Sequence, residues 1–283
     1  MHHAIAIFHA AIAAVQPQRI IPQYIQWRNG LFINNKPVPL KGRLFLAAAG
    51  KAAAAMALET ERVIGPHLTA GLAITKHEHG LPLQYCRLIE AGHPLPDEHS
   101  VEAAEALQSM LQNLQQEDVV ICLLSGGASA LVTDLPDNMD LHQLRDISDQ
   151  LIKSGADIQE INTIRKHLSR IKGGGLAHIV YPARLYVIVL SDVVGDRLDV
   201  IASGPAAPDT STLADAQHIA QQYGLLQLPL HETPKPGDPI FTNVEHLLAG
   251  SNDLALQAAQ QKRKPWAIMP ISSPPRLPEV QKR

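Results

Sequence analysis

Two acidic side chains directly follow an apolar run of the sequence. Asp192 and Asp196 stand in the segment SDVVGD, immediately after the run LYVIVL at 185–190. Carboxylates in such a place commonly hold Mg²⁺ or activate a hydroxyl group during phosphoryl transfer. A helix cap and an ordinary loop acid are the structural alternatives. The short spacing between the two acids favours a functional site.

A glycine-rich turn follows a second apolar run. The segment SGGAS at 125–129 comes after DVVICLL at 118–124 and before a predicted helix start. Glycines permit a tight turn and let backbone N–H groups approach an anion, which the positive end of a helix also attracts. An ordinary strand-to-helix turn is the alternative interpretation. The segment matches neither the P-loop pattern nor the full dinucleotide-binding fingerprint.

Lysine and arginine stand near two further glycine segments. Lys51 follows Gly50 at the end of the run RLFLAAA at 43–49, where the dipole of a following helix disfavours a cation. Such a lysine suits an anionic substrate, although a solvated surface lysine explains the spacing equally well. A second basic stretch, RKHLSRIK at 165–172, leads into three glycines that either end a helix or border an anion site.

The elements that must position these residues alternate between strands and helices. That alternation predicts an α/β fold, a Rossmann-like doubly wound and mainly parallel sheet with flanking helices. Ligands of such sheets bind at the carboxyl ends of the strands, where all the residues above are expected to lie. The predicted strands are 43–49, 71–75, 85–90, 118–124 and 185–190. One predicted helix begins at residue 51, and the others span 98–114, 141–153, 159–171, 212–223 and 243–260.

The composition argues against several classes of protein. Hydrophobic residues make up 46% of the 283 residues and aromatic residues only 4%, which suits helices packed on a parallel sheet. The formal net charge of -3 lacks the basic balance of nucleic-acid-binding proteins. Cys86 and Cys122 stand inside apolar runs and are expected to be buried, reduced thiols. The 14 histidines show no metal-binding spacing.

The apolar N-terminal segment at 4–15 resembles the hydrophobic part of a signal peptide. No positively charged region precedes it, and its large apolar residues follow helical spacing. We therefore expect the first amphipathic helix of a cytoplasmic protein. No later stretch is long and apolar enough to cross a bilayer.

Several longer segments occur in the same order as in one known enzyme family. They are GKAAAAMA (50–57), AGHPLPDEHS (91–100), LLSGGASAL (123–131), INTIRKHLSRIKGGGLA (161–177), LSDVVGDRLDVIASGP (190–205), PDTST (208–212) and PGDPIFTNVEHLLAGSNDLALQAA (236–259). Together they resemble the glycerate 2-kinase family, whose C-terminal half is called the MOFRL domain. The resemblance covers roughly residues 1–260.

The resemblance implies a function and a set of ligands. It implies phosphoryl transfer from ATP, with Mg²⁺, to the 2-hydroxyl group of D-glycerate, in a cleft between a Rossmann-like domain and a smaller C-terminal domain. Lys51 would be the catalytic lysine. Asp192 would position Mg²⁺ or activate the hydroxyl group, with Asp196 as a second catalytic acid nearby. The residues that would bind substrate or phosphate are Gly50, Ser125, Gly126, Gly127, Ser129, Arg165, Lys166 and Lys172.

The chain also departs from the family pattern. Gly175 and Ala206 stand where the family usually has Arg and Thr, and Ala128 stands where a third glycine is frequent. The motifs of the smaller C-terminal domain are missing. We therefore expect a glycerate kinase N-terminal domain at 1–260 and an aberrant proline-rich tail at 261–283, disordered or produced by a frameshift. An uncovered half-cleft predicts poor solubility or oligomerisation, with a homodimer as the assembly to test.

Two other functions remain open at this point. Members of the family also carry the name hydroxypyruvate reductase, which would make the chain an NAD(P)H-dependent oxidoreductase; the missing dinucleotide fingerprint argues against it. A half-enzyme that binds ligand without turnover is the second alternative. The predicted partners are D-glycerate and a nucleotide, with no nucleic acid and no membrane.

Overall fold

The computed structural model describes residues 2–263, in which helices and strands alternate. The α-helices are α1 (His2–Ala14), α2 (Pro17–Tyr24), α3 (Ala53–Ile64), α4 (Glu98–Met110), α5 (Ala128–Leu131), α6 (Leu141–Lys153), α7 (Ile158–His167), α8 (Gly175–Val180), α9 (Leu213–Gln222) and α10 (Asn252–Arg263). The strands are β1 (Ile25–Trp27), β2 (Leu31–Ile33), β3 (Lys36–Pro37), β4 (Leu44–Ala49), β5 (Ala70–Lys76), β6 (Arg87–Ala91), β7 (Val119–Ser125), β8 (Arg184–Leu190) and β9 (Val244–Gly250).

A six-stranded sheet forms the centre of the fold. Its strands lie in the order β6-β5-β4-β7-β8-β9, and every neighbouring pair is parallel. This is the strand order of the doubly wound fold that binds dinucleotides. The order reverses between β4 and β7, and ligands of such sheets bind in the crevice at that point. The α/β prediction is therefore confirmed, and the sheet has its crevice where Gly50 follows β4 and Ser125 ends β7.

The central strands are buried on both faces, which explains their continuous apolar sequences. In β4, Phe45 and Ala47 belong to one hydrophobic core, while Leu46 belongs to the core on the opposite face. The first core is closed by α4 through residues such as Leu107, and the second by α3 through residues such as Met56. Both faces are covered by helices, as a parallel sheet requires.

A third hydrophobic cluster joins helices α6, α7 and α9. It contains Leu151 from α6, Ile164 from α7 and Ala216 from α9, all buried. At the start of α7, the Asp157 side chain accepts hydrogen bonds from backbone N–H groups, and Glu160 completes a capping box. This packing fixes the position of α7, the helix that carries the predicted basic residues.

One predicted helix is wrong. The segment at 243–260, expected to be helical, forms strand β9, then a break at Ser251, then α10. The sequence VEHLLAG contains good helix formers, but β9 pairs along its length with β8, and this tertiary pairing overrides local propensity. The short antiparallel sheet β1-β2-β3 was not predicted either. The other predicted strands and helices are present, with ends shifted by a few residues.

The N-terminal stretch His3–Tyr24 is apolar enough, by length and composition, to resemble a membrane-spanning helix. In the structure it is divided: α1 ends at Ala14, and α2 begins at Pro17. The 13 residues of α1 span about 20 Å, less than the hydrocarbon core of about 30 Å. The predicted first helix is confirmed, and it packs against α10, leaving Phe8 63% exposed.

Both cysteines are buried and free, as the sequence predicts. Burial raises the pKa of Cys86 and, to about 12, that of Cys122, so both are inert thiols at neutral pH. The predicted boundary at residue 260 falls inside α10, which continues to Arg263. The rest of the predicted aberrant tail, at 264–283, lies outside the described residues.

Candidate active site

The turn after β4 and the turn after β7 are joined by hydrogen bonds. The Lys51 N–H donates to the Gly126 carbonyl at 2.9 Å, and the Ala52 N–H donates to the Ser125 hydroxyl at 3.0 Å. A Cβ at Gly50, where φ is +128°, would lie 2.2 Å from the Ser125 Oγ. Gly50 and Ser125 therefore assemble the crevice, and the buried Ser125 hydroxyl is engaged inside it.

Lys51 and Asp192 meet above the glycine turn. The Lys51 Nζ lies 3.7 Å from Asp192 Oδ2, with the two side chains 44% and 58% exposed. A Cβ at Gly126 would lie 2.1 Å from Asp192 Oδ2, so the carboxylate rests directly on that glycine. The arrangement brings together the Lys51 cation, the Asp192 anion and the Gly126 backbone, which has no side chain, at the crevice of the sheet.

Asp196 is not brought to the same place. It follows Gly195 in a turn with φ of +49°, and its backbone N–H donates to the Val193 carbonyl. Asp196 is absent from the linings of the two cavities beside the glycine turn. Its role as a second catalytic acid therefore stays a prediction, with less geometric support than that of Asp192.

A cavity of about 220 Å³ opens on one side of the glycine turn. Arg165 lines it from α7, and no described residue forms a hydrogen bond or ion pair with its guanidinium group. Burial lowers the pKa of Arg165, which reflects the cost of holding this charge without a partner. A half-buried guanidinium facing a cavity suits a carboxylate ligand, which it can bind through two hydrogen bonds. Other residues lining the cavity are His93, Gly127, Ser129, Asp134 and Lys172.

A second cavity, of about 270 Å³, opens on the other side of the turn. Its lining includes Lys51, Gly126, Asp192 and Asn252. The glycine turn thus separates one cavity containing an unpaired guanidinium from another containing the Lys51 amine and the Asp192 carboxylate.

Lys166, adjacent to Arg165 in the sequence, has a different environment. Its Nζ lies 3.1 Å from Asp209 Oδ1, and both side chains are buried. Burial by itself would raise the pKa of Asp209, but Lys166 and the Ser211 hydroxyl hold it below its ordinary value. The pair joins α7 to the segment before α9, so this lysine is engaged within the fold rather than in either cavity.

Lys172 is also engaged inside the protein. Its Nζ donates to the Val132 carbonyl at 2.9 Å and lies 4.0 Å from Asp134 Oδ1. Burial lowers the pKa of Lys172, the nearby Asp134 carboxylate opposes that change, and Arg165 adds to it. Lys172 therefore lines the 220 Å³ cavity with an amine that already has partners inside the protein.

The helix after the glycine turn is shorter than the sequence suggests. α5 spans Ala128–Leu131, a single turn, so its dipole offers little to an anion. The Ser129 hydroxyl lies 2.9 Å from the Ser203 hydroxyl and so links the turn to the segment after β8. Any binding at this turn relies on the surrounding side chains more than on a helix N-terminus.

His93 was missed by the sequence reasoning. It follows β6, and its Cδ2 and Nε2 atoms lie 2.9 Å from the position of a Cβ at Gly127. The rule that ligands bind at carboxyl ends of parallel strands applies to β6 as well, and it would have identified this residue. His93 lies within the segment AGHPLPDEHS, which contributes to the family resemblance.

Among the described residues lining the 270 Å³ cavity, Asp192 is the one carboxylate that could hold Mg²⁺. Among residues 2–263, no group of three or more His, Cys, Asp or Glu side chains lies close enough to hold a metal ion. Mg²⁺ commonly takes one or two carboxylates and completes its coordination with phosphate oxygens and water. The exposed Asp192 carboxylate fits that pattern beside the turn.

Comparison with protein families matches residues 3–232 to a family described as a domain of unknown function, DUF4147. The match covers most of the chain, including the glycine turn, Lys51 and Asp192. This chain belongs to the DUF4147 family.

Relatives of this DUF4147 protein carry two kinds of name. It is 40% identical over 256 residues to a D-glycerate 2-kinase from Thermotoga maritima, covering 88% of this chain and 58% of that relative. It is 38% identical over 274 residues to a putative hydroxypyruvate reductase from Agrobacterium vitis, covering 94% of this chain and 59% of that relative. The chain thus spans less than two thirds of the length of these curated relatives.

A solved structure shares the fold. The crystal structure of a glycerate kinase from Thermotoga maritima superimposes with a TM-score of 0.82 at 38% sequence identity, covering 94% of this chain and 62% of that one. The DUF4147 protein therefore has the α/β fold of a glycerate kinase over nearly its whole length.

Proposed function

We propose that this chain contributes the substrate-binding and phosphate-binding part of a D-glycerate 2-kinase, which transfers a phosphoryl group from ATP to the 2-hydroxyl group of D-glycerate. The observation that carries the proposal is the meeting of Lys51 and Asp192 above Gly126, at the point where the strand order of the sheet reverses. The kinase names of the similar proteins support it.

The two cavities suggest how the substrates divide between them. The unpaired Arg165 guanidinium would hold the glycerate carboxylate in the 220 Å³ cavity, which has room for a three-carbon acid. The nucleotide phosphates would lie in the 270 Å³ cavity against the Lys51 amine. The reacting oxygen and the transferring phosphoryl group would then meet across Gly126 and Gly127.

Phosphoryl transfer depends mainly on positioning and on stabilising charge as it spreads over the transferring group. Lys51 is exposed and anchored at its backbone to Gly126, so its amine can follow the phosphoryl oxygens. Asp192 would hold Mg²⁺, which when bound supplies positive charge to the phosphate oxygens. Gly126 keeps the space above the turn open for these groups.

Titration calorimetry tests the proposed ligands on the purified chain. We expect binding of D-glycerate and, with Mg²⁺, of a non-hydrolysable ATP analogue. Lys51→Ala should weaken the binding of the ATP analogue at least about 10-fold, since it removes a charge-assisted contact. Lys41→Ala removes an exposed lysine just before β4, at the opposite edge of the sheet, and should change nothing. Binding of neither ligand to the folded chain would refute the proposal.

A reductase is the second candidate because the Agrobacterium vitis relative carries that name. Against it, the Asp192 carboxylate rests on Gly126, where the pyrophosphate of a dinucleotide would approach the backbone. Loss of NADH absorbance with hydroxypyruvate is the discriminating measurement. Activity there, combined with no affinity for the ATP analogue, would favour the reductase.

The remaining expectations are part of the same proposal. We propose a cytoplasmic enzyme that acts on a small acid and a nucleotide and forms a homodimer. Light scattering of the purified chain tests the assembly, and a monodisperse monomer would contradict the homodimer.

A further inference from the structure

His93 stands at the boundary between the two cavities. Its Nε2 lies 2.9 Å from the position of a Cβ at Gly127, and the Lys51 Cγ lies 3.2 Å from the same position. His93 lines the cavity that contains Arg165, while Lys51 lines the other. The imidazole therefore lines the cavity of Arg165 and comes close to the Lys51 side chain at Gly127.

The imidazole ring is free to bind a ligand. No described residue forms a hydrogen bond or ion pair with either ring nitrogen of His93. Burial lowers the pKa of His93, the cations of Lys51 and Lys76 lower it further, and only Asp192 opposes them. At neutral pH the ring is therefore uncharged, with one nitrogen that donates and one that accepts.

Two other possible proton acceptors that line the cavity of Arg165 are already engaged. The carboxylate of Asp134 accepts hydrogen bonds from the Ser169 hydroxyl and the Arg170 backbone N–H. The Ser129 hydroxyl is paired with that of Ser203. Asp192 faces Lys51 and lines the opposite cavity. Among the described residues lining the cavity of Arg165, His93 is the one histidine, and its Nε2 lies beside Gly127 of the glycine turn.

We propose that His93 is the catalytic base that binds the 2-hydroxyl group of glycerate and takes its proton. This inference rests on the proposed function. With the carboxylate held by Arg165, the hydroxyl proton passes to the ring nitrogen of His93, and the oxygen electron pair forms a bond to the γ-phosphorus of ATP. The bond from that phosphorus to the β-phosphate oxygen breaks, and ADP leaves with the electron pair. The imidazolium then returns its proton to water.

The contact with the hydroxyl group is tested by binding, without turnover. Titration calorimetry compares D-glycerate with 3-hydroxypropionate, which lacks the 2-hydroxyl group. The wild-type chain should prefer D-glycerate by about 10-fold, the value expected for one hydrogen bond. His93→Leu should abolish the preference, while His218→Leu, an exposed histidine on α9, should keep it. Circular dichroism establishes that each variant is folded.

Proton transfer is tested by a variant that keeps a hydrogen-bonding side chain. His93→Gln should retain much of the preference for D-glycerate but lower the rate of phosphoryl transfer at least about 100-fold, since it cannot act as a base. A rate of phosphoryl transfer within a factor of three of wild type would show that His93 is not the catalytic base.

The remaining outcomes separate this inference from the proposed function. An unchanged preference in His93→Leu, in a chain that still binds D-glycerate, would overturn the role of His93 and leave the proposed function standing. A wild-type chain that binds neither acid would refute both. A wild-type chain that shows the preference but forms no product would overturn the proton transfer together with the proposed activity.

Discussion

The carboxylate of Asp192 lies 3.7 Å from the amine of Lys51, linking the ends of two strands that β7 separates in the sheet. Both side chains are about half exposed, and ion pairs of this kind contribute at most about 1 kcal/mol to stability. The pair is therefore easily opened by a ligand with stronger charge. Its position at the crevice, rather than its strength, gives it a function.

Gly126→Ala tests whether the position of Asp192 matters. The new Cβ would meet the far end of an exposed side chain, so Asp192 can move away and the free energy of unfolding should change by less than about 1 kcal/mol. The displaced carboxylate should weaken the Mg²⁺-dependent binding of an ATP analogue about 10-fold, measured by calorimetry. Wild-type affinity in this variant would show that Asp192 does not act at the turn.

Gly50→Ala, unlike Gly126→Ala, should strongly lower the free energy of unfolding. The residue has φ of +128°, and its Cβ would lie 2.4 Å from the Ser125 carbonyl oxygen, which belongs to the backbone and cannot move aside. We expect a loss of about 2–4 kcal/mol in the free energy of unfolding, measured by urea denaturation. A stable Gly50→Ala chain would mean that the two turns are not packed as described.

Arg165 and Lys166 are neighbours on α7 with opposite predicted effects. Arg165→Leu removes a half-buried charge without a partner and should leave stability within about 1 kcal/mol of wild type while abolishing D-glycerate binding. Lys166→Met leaves the buried Asp209 carboxylate unpaired and should cost about 3–5 kcal/mol. Denaturation and calorimetry on both variants measure these quantities. A destabilised Arg165→Leu chain that still binds glycerate would show that Arg165 stabilises the fold and does not bind the substrate.

The same two residues show how far sequence reasoning reaches. The basic stretch predicts positive charge near the crevice, but consecutive helix residues point in directions about 100° apart, so only one of the two can face a given cavity. Nothing in the local sequence identifies Asp209, 43 residues further on, as the partner of Lys166. Long-range pairing of this kind is decided by the fold.

The strands show a similar limit. The run of 118–124 predicts β7 to within one residue because a strand covered on both faces is continuously apolar. β9 lies at the edge of the sheet and is only partly buried, and its Leu and Ala residues favour a helix locally. The rule that ligands bind at the carboxyl ends of parallel strands points to Lys51, the glycine turn and Asp192, and it applies equally to His93, which follows β6.

Acid should destabilise the protein partly through Asp97, which caps α4. Burial alone would raise the pKa of Asp97, but hydrogen bonds from His77, Gly92 and Ser100 hold it at about 2, below the ordinary value of an aspartate. Because the folded-state pKa is the lower one, the stabilisation is present above the unfolded-state pKa and is lost as the pH falls from about 4 towards 2.

Asp97→Asn keeps an adequate helix cap but cannot titrate. The fall in the free energy of unfolding between pH 5 and pH 2 should therefore be smaller in this variant, by about 2 kcal/mol. Urea denaturation at several pH values measures it, with Asp146→Asn, an exposed carboxylate on α6, as the control. Equal pH dependence in Asp97→Asn and wild type would exclude this source of acid sensitivity.

The most direct test of the proposed activity is a phosphorus NMR measurement on the purified chain with ATP, Mg²⁺ and D-glycerate. The account predicts a phosphate ester on the 2-oxygen of glycerate, formed at least about 100-fold more slowly by Lys51→Ala and at the wild-type rate by Lys41→Ala. A folded, glycerate-binding chain that forms no such ester, or forms it equally well without Lys51, would contradict the account.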